Sequence, residues 1–150
     1  MNILIPMAGR GKRFEDVGYS FPKPLIDIEG KPMIQLIIEN LNLTGKHIFL
    51  CQKEHYEKYA LDKLLEMLSP NCKIIQIDGI TDGAAVTALK AKELINNDEE
   101  LIIANSDQWI NWNPQHFLSF LQNNDADGGI ITFISTHPKW SFVKVNESGL

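Results

Sequence analysis

Two rhythms alternate along this chain: short unbroken apolar runs, and longer stretches whose apolar residues recur every three or four positions. Asn2 to Pro6 is a run of the first kind and predicts a strand. Pro32 suits the first turn of a helix, and Ile34, Ile37, Ile38 and Leu41 follow at helical spacing, with Gly45 expected to close that helix. His47 to Cys51 predicts a buried strand. A helix from about Lys53 is expected to bury Tyr56, Ala60, Leu64, Leu65 and Leu68 and to stop at Ser69 and Pro70. Lys73 to Ile77 predicts another strand, and a helix carrying Ala84, Ala85, Ala88, Leu89 and Ala91 is expected to start near Gly83. Leu101 to Ala104 predicts a strand, Gln115 to Leu121 a short helix, and Gly129 to Ser135 and Phe142 to Val145 two further strands.

Strand, helix, strand in that order implies right-handed crossovers and a mainly parallel sheet with helices on both faces. Ligands bind such sheets beyond the carboxyl ends of the strands. Segments leave a strand at that edge from Met7, from Asp78 and from Asn105, and chemistry is expected there. The length of 150 residues fits one domain, residues 1–150. Because Asn146 to Leu150 follow closely on a predicted strand, the chain is expected to be part of a longer protein.

Composition changes this picture little, with 44% hydrophobic and 22% charged residues. The formal charge of −5 argues against a nucleic-acid partner. Local charge matters more, since Arg10, Lys12, Arg13 and Lys23 gather in one short stretch. Cys51 and Cys72 lie in apolar runs without metal-ligand spacing and read as reduced thiols of a cytoplasmic protein. No apolar stretch approaches the roughly 20 residues of a membrane span, so no membrane partner is expected. Assembly with further copies of the chain is left open.

The segment after the first strand reads M-A-G-R-G-K-R-F and then S-F-P-K-P-L. Gly9 and Gly11, next to Ala8, let main-chain N–H groups approach a phosphate closely. Arg13 supplies a planar fork for phosphate oxygens and Lys23 a compact charge, and Lys12 either adds a phosphate contact or points outward. Pro22 and Pro24 restrict the backbone on either side of Lys23. A dinucleotide fingerprint is excluded because Phe14 stands where its third glycine would be, and a Walker loop because Arg13 follows Lys12. By themselves the glycines and cations fit a phosphate site or a solvated loop.

The stretch A-G-R-G-K-R-F through F-P-K-P-L-I-D-I-E-G-K-P-M-I resembles the sugar nucleotidyltransferases, whose signature is G-x-G-x-R followed by P-K-P. The departure is Lys12, where many members carry Ser or Thr. The resemblance implies a Rossmann-like, GT-A-type three-layer fold and transfer of a nucleotidyl group, with Mg²⁺, from a nucleoside triphosphate to a phosphorylated acceptor such as a sugar 1-phosphate. It implies that Arg13 and Lys23 act on the phosphates. Asp107, just past an apolar strand, reads from the sequence as a cation ligand or a turn cap; the resemblance makes it the metal ligand. The family's second carboxylate falls beyond this sequence. The resemblance also assigns Gln76, Gly83 and Ala84 to the nucleobase, although Gly83 alone reads as an ordinary turn.

Trp109, Trp112 and Trp140 fit loop packing at least as well as an acceptor pocket. His47, His55, His116 and His137 have neither ligand spacing nor a nucleophile partner and read as structural or exposed, supporting neither a zinc site nor a hydrolase triad. Three alternatives stay open: a cytidylyltransferase acting on a non-sugar phosphate, a glycosyltransferase of similar fold, and a nucleotide-binding module without turnover.

Overall fold

A computed structural model describes residues 1–9, 18 and 21–146. Its contacts divide the chain into two compact units, Met1–Trp112 and Asn113–Leu150.

The first unit is built on a four-stranded sheet of order β5-β4-β1-β6, from β1 (Asn2–Pro6), β4 (Lys46–Gln52), β5 (Lys73–Ile77) and β6 (Leu101–Ile103). Every pairing in it is parallel: β1 with β4, β1 with β6, and β4 with β5. Side chains alternate across the sheet, as the period of two requires. Ile3, Ile5, Phe49 and Cys51 face a core closed by Ile34, Ile37 and Leu41 of α1 (Met33–Leu41) and by Leu61 and Leu65 of α3 (Leu61–Leu68). Leu4, Ile48, Leu50 and Ile77 face the opposite core, closed by Ala88 of α4 (Ala84–Leu89), Ala91, and Leu94 and Ile95 of α5 (Lys92–Ile95). Helix, sheet, helix is therefore the layering of this unit, and the Rossmann-like α/β architecture expected from the sequence is present.

Several elements differ from expectation. Helix α1 closes at Asn42, which adopts the left-handed conformation at φ 45° and donates its N–H to Ile38 O at 3.2 Å. Gly45 does other work: a Cβ there would lie 2.8 Å from Met1 O and 3.1 Å from Ile3 Cδ1. Met1 O accepts the Lys46 N–H at 3.0 Å, so crowding it disturbs the start of the β1–β4 ladder. Gly45→Ala should cost about 1–3 kcal/mol, seen as a lowered midpoint in urea denaturation.

The helix expected from Lys53 is two, α2 (Lys53–Lys58) and α3, broken where Ala60 takes φ 48° and stays exposed. A straight helix burying Ala60 and Leu64 would turn Leu61 about 100° off the sheet. The break lets Leu61 and Leu65 enter the core completely. Lys23–Leu25 forms a 3₁₀ turn, and β2 (Asp27–Ile28) with β3 (Lys31–Pro32) forms a small hairpin with Glu29 and Gly30 both at positive φ. Neither was anticipated.

At the opposite end of the sheet from the ligand edge, His47 is buried and stacked on Phe49. Its Nδ1 bonds Ser69 Oγ at 2.8 Å, and its Nε2 is buried without a partner among the described residues. Burial holds its pKa below the ordinary 6.5. The sign follows: below pH 6.5 the unfolded chain takes up a proton that the folded chain refuses, so stability falls as pH drops. The urea midpoint should decrease from pH 7.5 to pH 5.5, and should decrease less in His47→Asn; equal decreases would remove His47 as the cause.

In the second unit, α6 (Pro114–Asn123) starts at Asn113, whose Oδ1 caps the His116 N–H at 3.1 Å. The strands expected at Gly129 to Ser135 and Phe142 to Val145 are absent. A strand exists only with a ladder partner, and neither run has one among the described residues. Both are largely exposed, and Phe133 meets Trp140 edge to face at 5.1 Å. No helix among the described residues is long and apolar enough to cross a membrane.

Candidate active site

The ends of β1 and β6 are neighbours in the sheet, and the segments leaving them carry the two site residues that the structure brings together. Lys23 opens the 3₁₀ turn. Pro22, at φ −61° and ψ 148°, leads the chain in, and the turn is closed by Leu25 N–H to Pro22 O at 2.8 Å and Ile26 N–H to Lys23 O at 3.2 Å. Pro24 and Ile26 are buried, which fixes the turn from below and leaves the Lys23 side chain pointing out of it.

Asp107 sits in the turn after β6. Ala104 N–H still bonds Leu4 O at 2.9 Å, so the parallel ladder runs one step beyond the strand before the chain turns. Ser106 is buried there, and Asn105 Nδ2 donates to Gln108 Oε1 at 2.7 Å. Asn40 of α1 braces the far side of the turn: its amide donates to Ile110 O at 2.8 Å and accepts from Ile110 N at 3.1 Å, while Asn40 O accepts from Trp112 Nε1 at 3.0 Å. Trp112 packs against the core, so it supports the loop; Trp109 is exposed.

Held in this way, Lys23 Nζ donates to Asp107 Oδ2. Both side chains keep roughly a third of their surface open to solvent. At the ligand edge the ammonium has the chemistry to meet a phosphate and the carboxylate that to meet a hard cation. Among the described residues, no group of three His, Cys, Asp or Glu side chains converges as a metal site.

The remaining expected residues are placed as follows. Ala8 is half-buried and packs against the second core, and Gly9 is exposed, with no described residue where a Cβ would stand. Gly9 does not lie at positive φ. Gly11, Lys12 and Arg13 lie outside the described residues. Gly83 precedes α4 at φ 125°, which L side chains rarely adopt; its carbonyl accepts from Thr87 N at 3.0 Å and Thr87 Oγ1 at 2.9 Å. Open space lies above it, and Ala84 is exposed beside it. Gln76 is exposed within β5, on the face opposite Ile75 and Ile77.

Sequence reasoning missed Gln52, the last residue of β4. Its Nε2 donates to Ala8 O at 2.6 Å and to Gly79 O at 3.0 Å. Beside it lies a cavity of about 420 Å³, lined also by Lys53, His55, Ile77 and Asp78. The available signal was a polar residue at the end of a buried strand, obscured because α2 begins at the next position. Cys51, one residue earlier, is a core thiol pushed up to about 11 by burial, and carries no nucleophile role.

A family model described as nucleotidyl transferase matches residues 3–141. The chain is 31% identical over 121 residues to the bifunctional protein GlmU of Methanocaldococcus jannaschii, covering 80% of this chain and 28% of that protein. It is 26% identical to mannose-1-phosphate guanylyltransferase 1 of Arabidopsis thaliana, covering 99% of this chain and 42% of the relative. This chain thus spans under half the length of either. Among solved structures, UDP-glucose pyrophosphorylase complexed with UDP-glucose superposes with a TM-score of 0.60 at 20% identity, over 83% of this chain and 54% of the other.

Proposed function

The chain belongs to the nucleotidyl transferase family, and we propose that it transfers a nucleoside monophosphate from a nucleoside triphosphate to a sugar 1-phosphate, giving a nucleotide sugar and pyrophosphate. The observation that carries this is the pairing of Lys23 with Asp107 across the ends of β1 and β6. Relatives named for mannose-1-phosphate guanylyl transfer point to the same acceptor class.

In this mechanism an acceptor phosphate oxygen attacks the α-phosphorus, the bond to the bridging oxygen breaks, and pyrophosphate leaves in line. The attacking oxygen is already ionised, so no general base is needed, and positioning with charge neutralisation accounts for the rate. Lys23 leaves Asp107 to hold the α-phosphate and the acceptor phosphate. Arg13 stabilises the β- and γ-phosphates, and Ala8, Gly9, Gly11 and Lys12 line the triphosphate. Gly83 and Ala84 leave room for a flat base; Gln76, paired with Cys51 on the α1/α3 face of the sheet, lies across the sheet from α4, so the base contact expected of it is not carried into the mechanism.

Asp107 would hold a Mg²⁺ ion, since Mg²⁺ commonly takes one or two carboxylates plus substrate phosphates. When bound, the ion supplies neutralisation of charge on the leaving pyrophosphate. The two free thiols support a cytoplasmic setting.

The deciding experiment is a pyrophosphate-release screen of the full-length protein, with ATP, GTP, CTP, UTP and dTTP against several sugar 1-phosphates and phosphocholine. Release that requires one sugar 1-phosphate is expected. Release only with phosphocholine moves the acceptor outside the sugars, and none with any pair withdraws the transferase reading.

A further inference from the structure

We propose that Gln52 is a positioning residue that ties the phosphate-binding loop to the loop after β5 and so sets the width of the nucleotide site; this rests on the nucleotide reading above. In the sheet, β4 lies between β1 and β5. On the β1 side the ladder ends with Met7 N–H to Leu50 O at 2.8 Å, and on the β5 side the register ends at Gln52 opposite Ile77. Beyond these points the backbone of β4 turns into α2 at Lys53, while the chains leaving β1 and β5 continue toward the ligand edge.

Ala8 O and Gly79 O therefore face a strand whose backbone has turned away. The Gln52 amide stands in for the missing ladder: each of its two N–H protons goes to one carbonyl, at 2.6 Å and 3.0 Å. One side chain thus fixes two loops from opposite neighbours of its strand. Both loops belong to the proposed nucleotide site, Ala8 beside Gly9 and Gly79 four residues before Gly83. Gly79, at φ 75°, already uses a conformation that favours glycine, so its carbonyl direction is set by the turn and by Gln52 together.

The chemistry makes the side chain hard to replace. Asparagine is one methylene shorter and is expected to keep one of the two bonds. Leucine fills the space without a donor and leaves both carbonyls unpaired. Glutamate, ionised at neutral pH, presents oxygens to two carbonyl oxygens and repels both.

The test uses the full-length protein with whichever Mg²⁺–NTP the wild type binds most tightly. Gln52→Leu should weaken NTP binding and raise the KM for the nucleotide by roughly tenfold, with the acceptor KM within twofold of wild type. Q52N should fall between, and Q52E should match or exceed the loss in Q52L. Hydrogen exchange in the nucleotide-free protein should quicken in peptides covering residues 7–9 and 78–80 and remain unchanged in β4. Wild-type-like NTP binding and exchange in Q52L overturn the proposal, as does a uniform rise in exchange across the sheet. If Q52L does not fold, Q52N carries the same comparison. If the wild type binds no NTP, the nucleotide reading fails, and the exchange measurement still decides whether Gln52 holds the loops.

Discussion

Replacing Lys23 with alanine should reduce pyrophosphate release by about 10²- to 10³-fold and leave the thermal midpoint close to wild type. The two halves of this expectation have separate causes. Catalytic loss follows from the proposed mechanism, because the ammonium meets Asp107 at the ligand edge. Stability is spared because the turn is held by backbone bonds from Leu25 and Ile26 and by burial of Pro24. The ion pair is also partly exposed, and such pairs contribute little to folding. Lys23→Arg keeps the charge but replaces a compact ammonium with a wide planar fork, so it should restore only part of the rate. Pyrophosphate release by Lys23→Ala at the wild-type rate would remove Lys23 from the chemistry.

Asp107→Asn should lower turnover by a similar factor, about 10²- to 10³-fold, and raise the Mg²⁺ concentration needed for half-maximal rate. The asparagine retains the shape of the side chain and one carbonyl oxygen, and loses the charge that Lys23 meets and that the proposed Mg²⁺ would meet. The loop itself should survive, because Asn40 holds Ile110 from both sides of its amide and Trp112 bonds Asn40 O. A Mg²⁺ titration of pyrophosphate release separates the roles of the two residues: the half-saturating concentration should move strongly in Asp107→Asn and little in Lys23→Ala. An unmoved Mg²⁺ dependence in Asp107→Asn would reduce Asp107 to a partner of Lys23 and leave the cation to another ligand.

Much of the first unit was legible in order along the chain. The strand at Asn2–Pro6 and the strand at Lys73–Ile77 have the bounds expected, because an apolar run flanked by polar or turn residues has no competing period. Helix α1 was legible from Ile34, Ile37 and Leu41, all of which are buried. Its end was misplaced, since Asn42 and Gly45 both suit a left-handed cap and only the approach of β1 reserves Gly45 for a tight crossing. The apolar run from Gly129 to Ser135 has strand composition and no strand, because composition supplies propensity and a ladder requires a neighbour.

The site divides along the same line. Gly9, Lys23 and Asp107 could be named from residue type and from their positions after strands, properties that a short window of sequence carries. Local torsion and spacing decide such features: prolines restrict the approach to Lys23, and the end of an apolar run exposes Asp107. What no window carries is that these two residues, 84 positions apart, face each other. That depends on β6 choosing β1 as its neighbour and β4 taking the other side. The same order places Gln52 between Ala8 and Gly79, a role invisible until three strands lie side by side. Parallel pairing joins segments far apart in the chain, so the identities of the site residues are local information and their meeting is a property of the sheet.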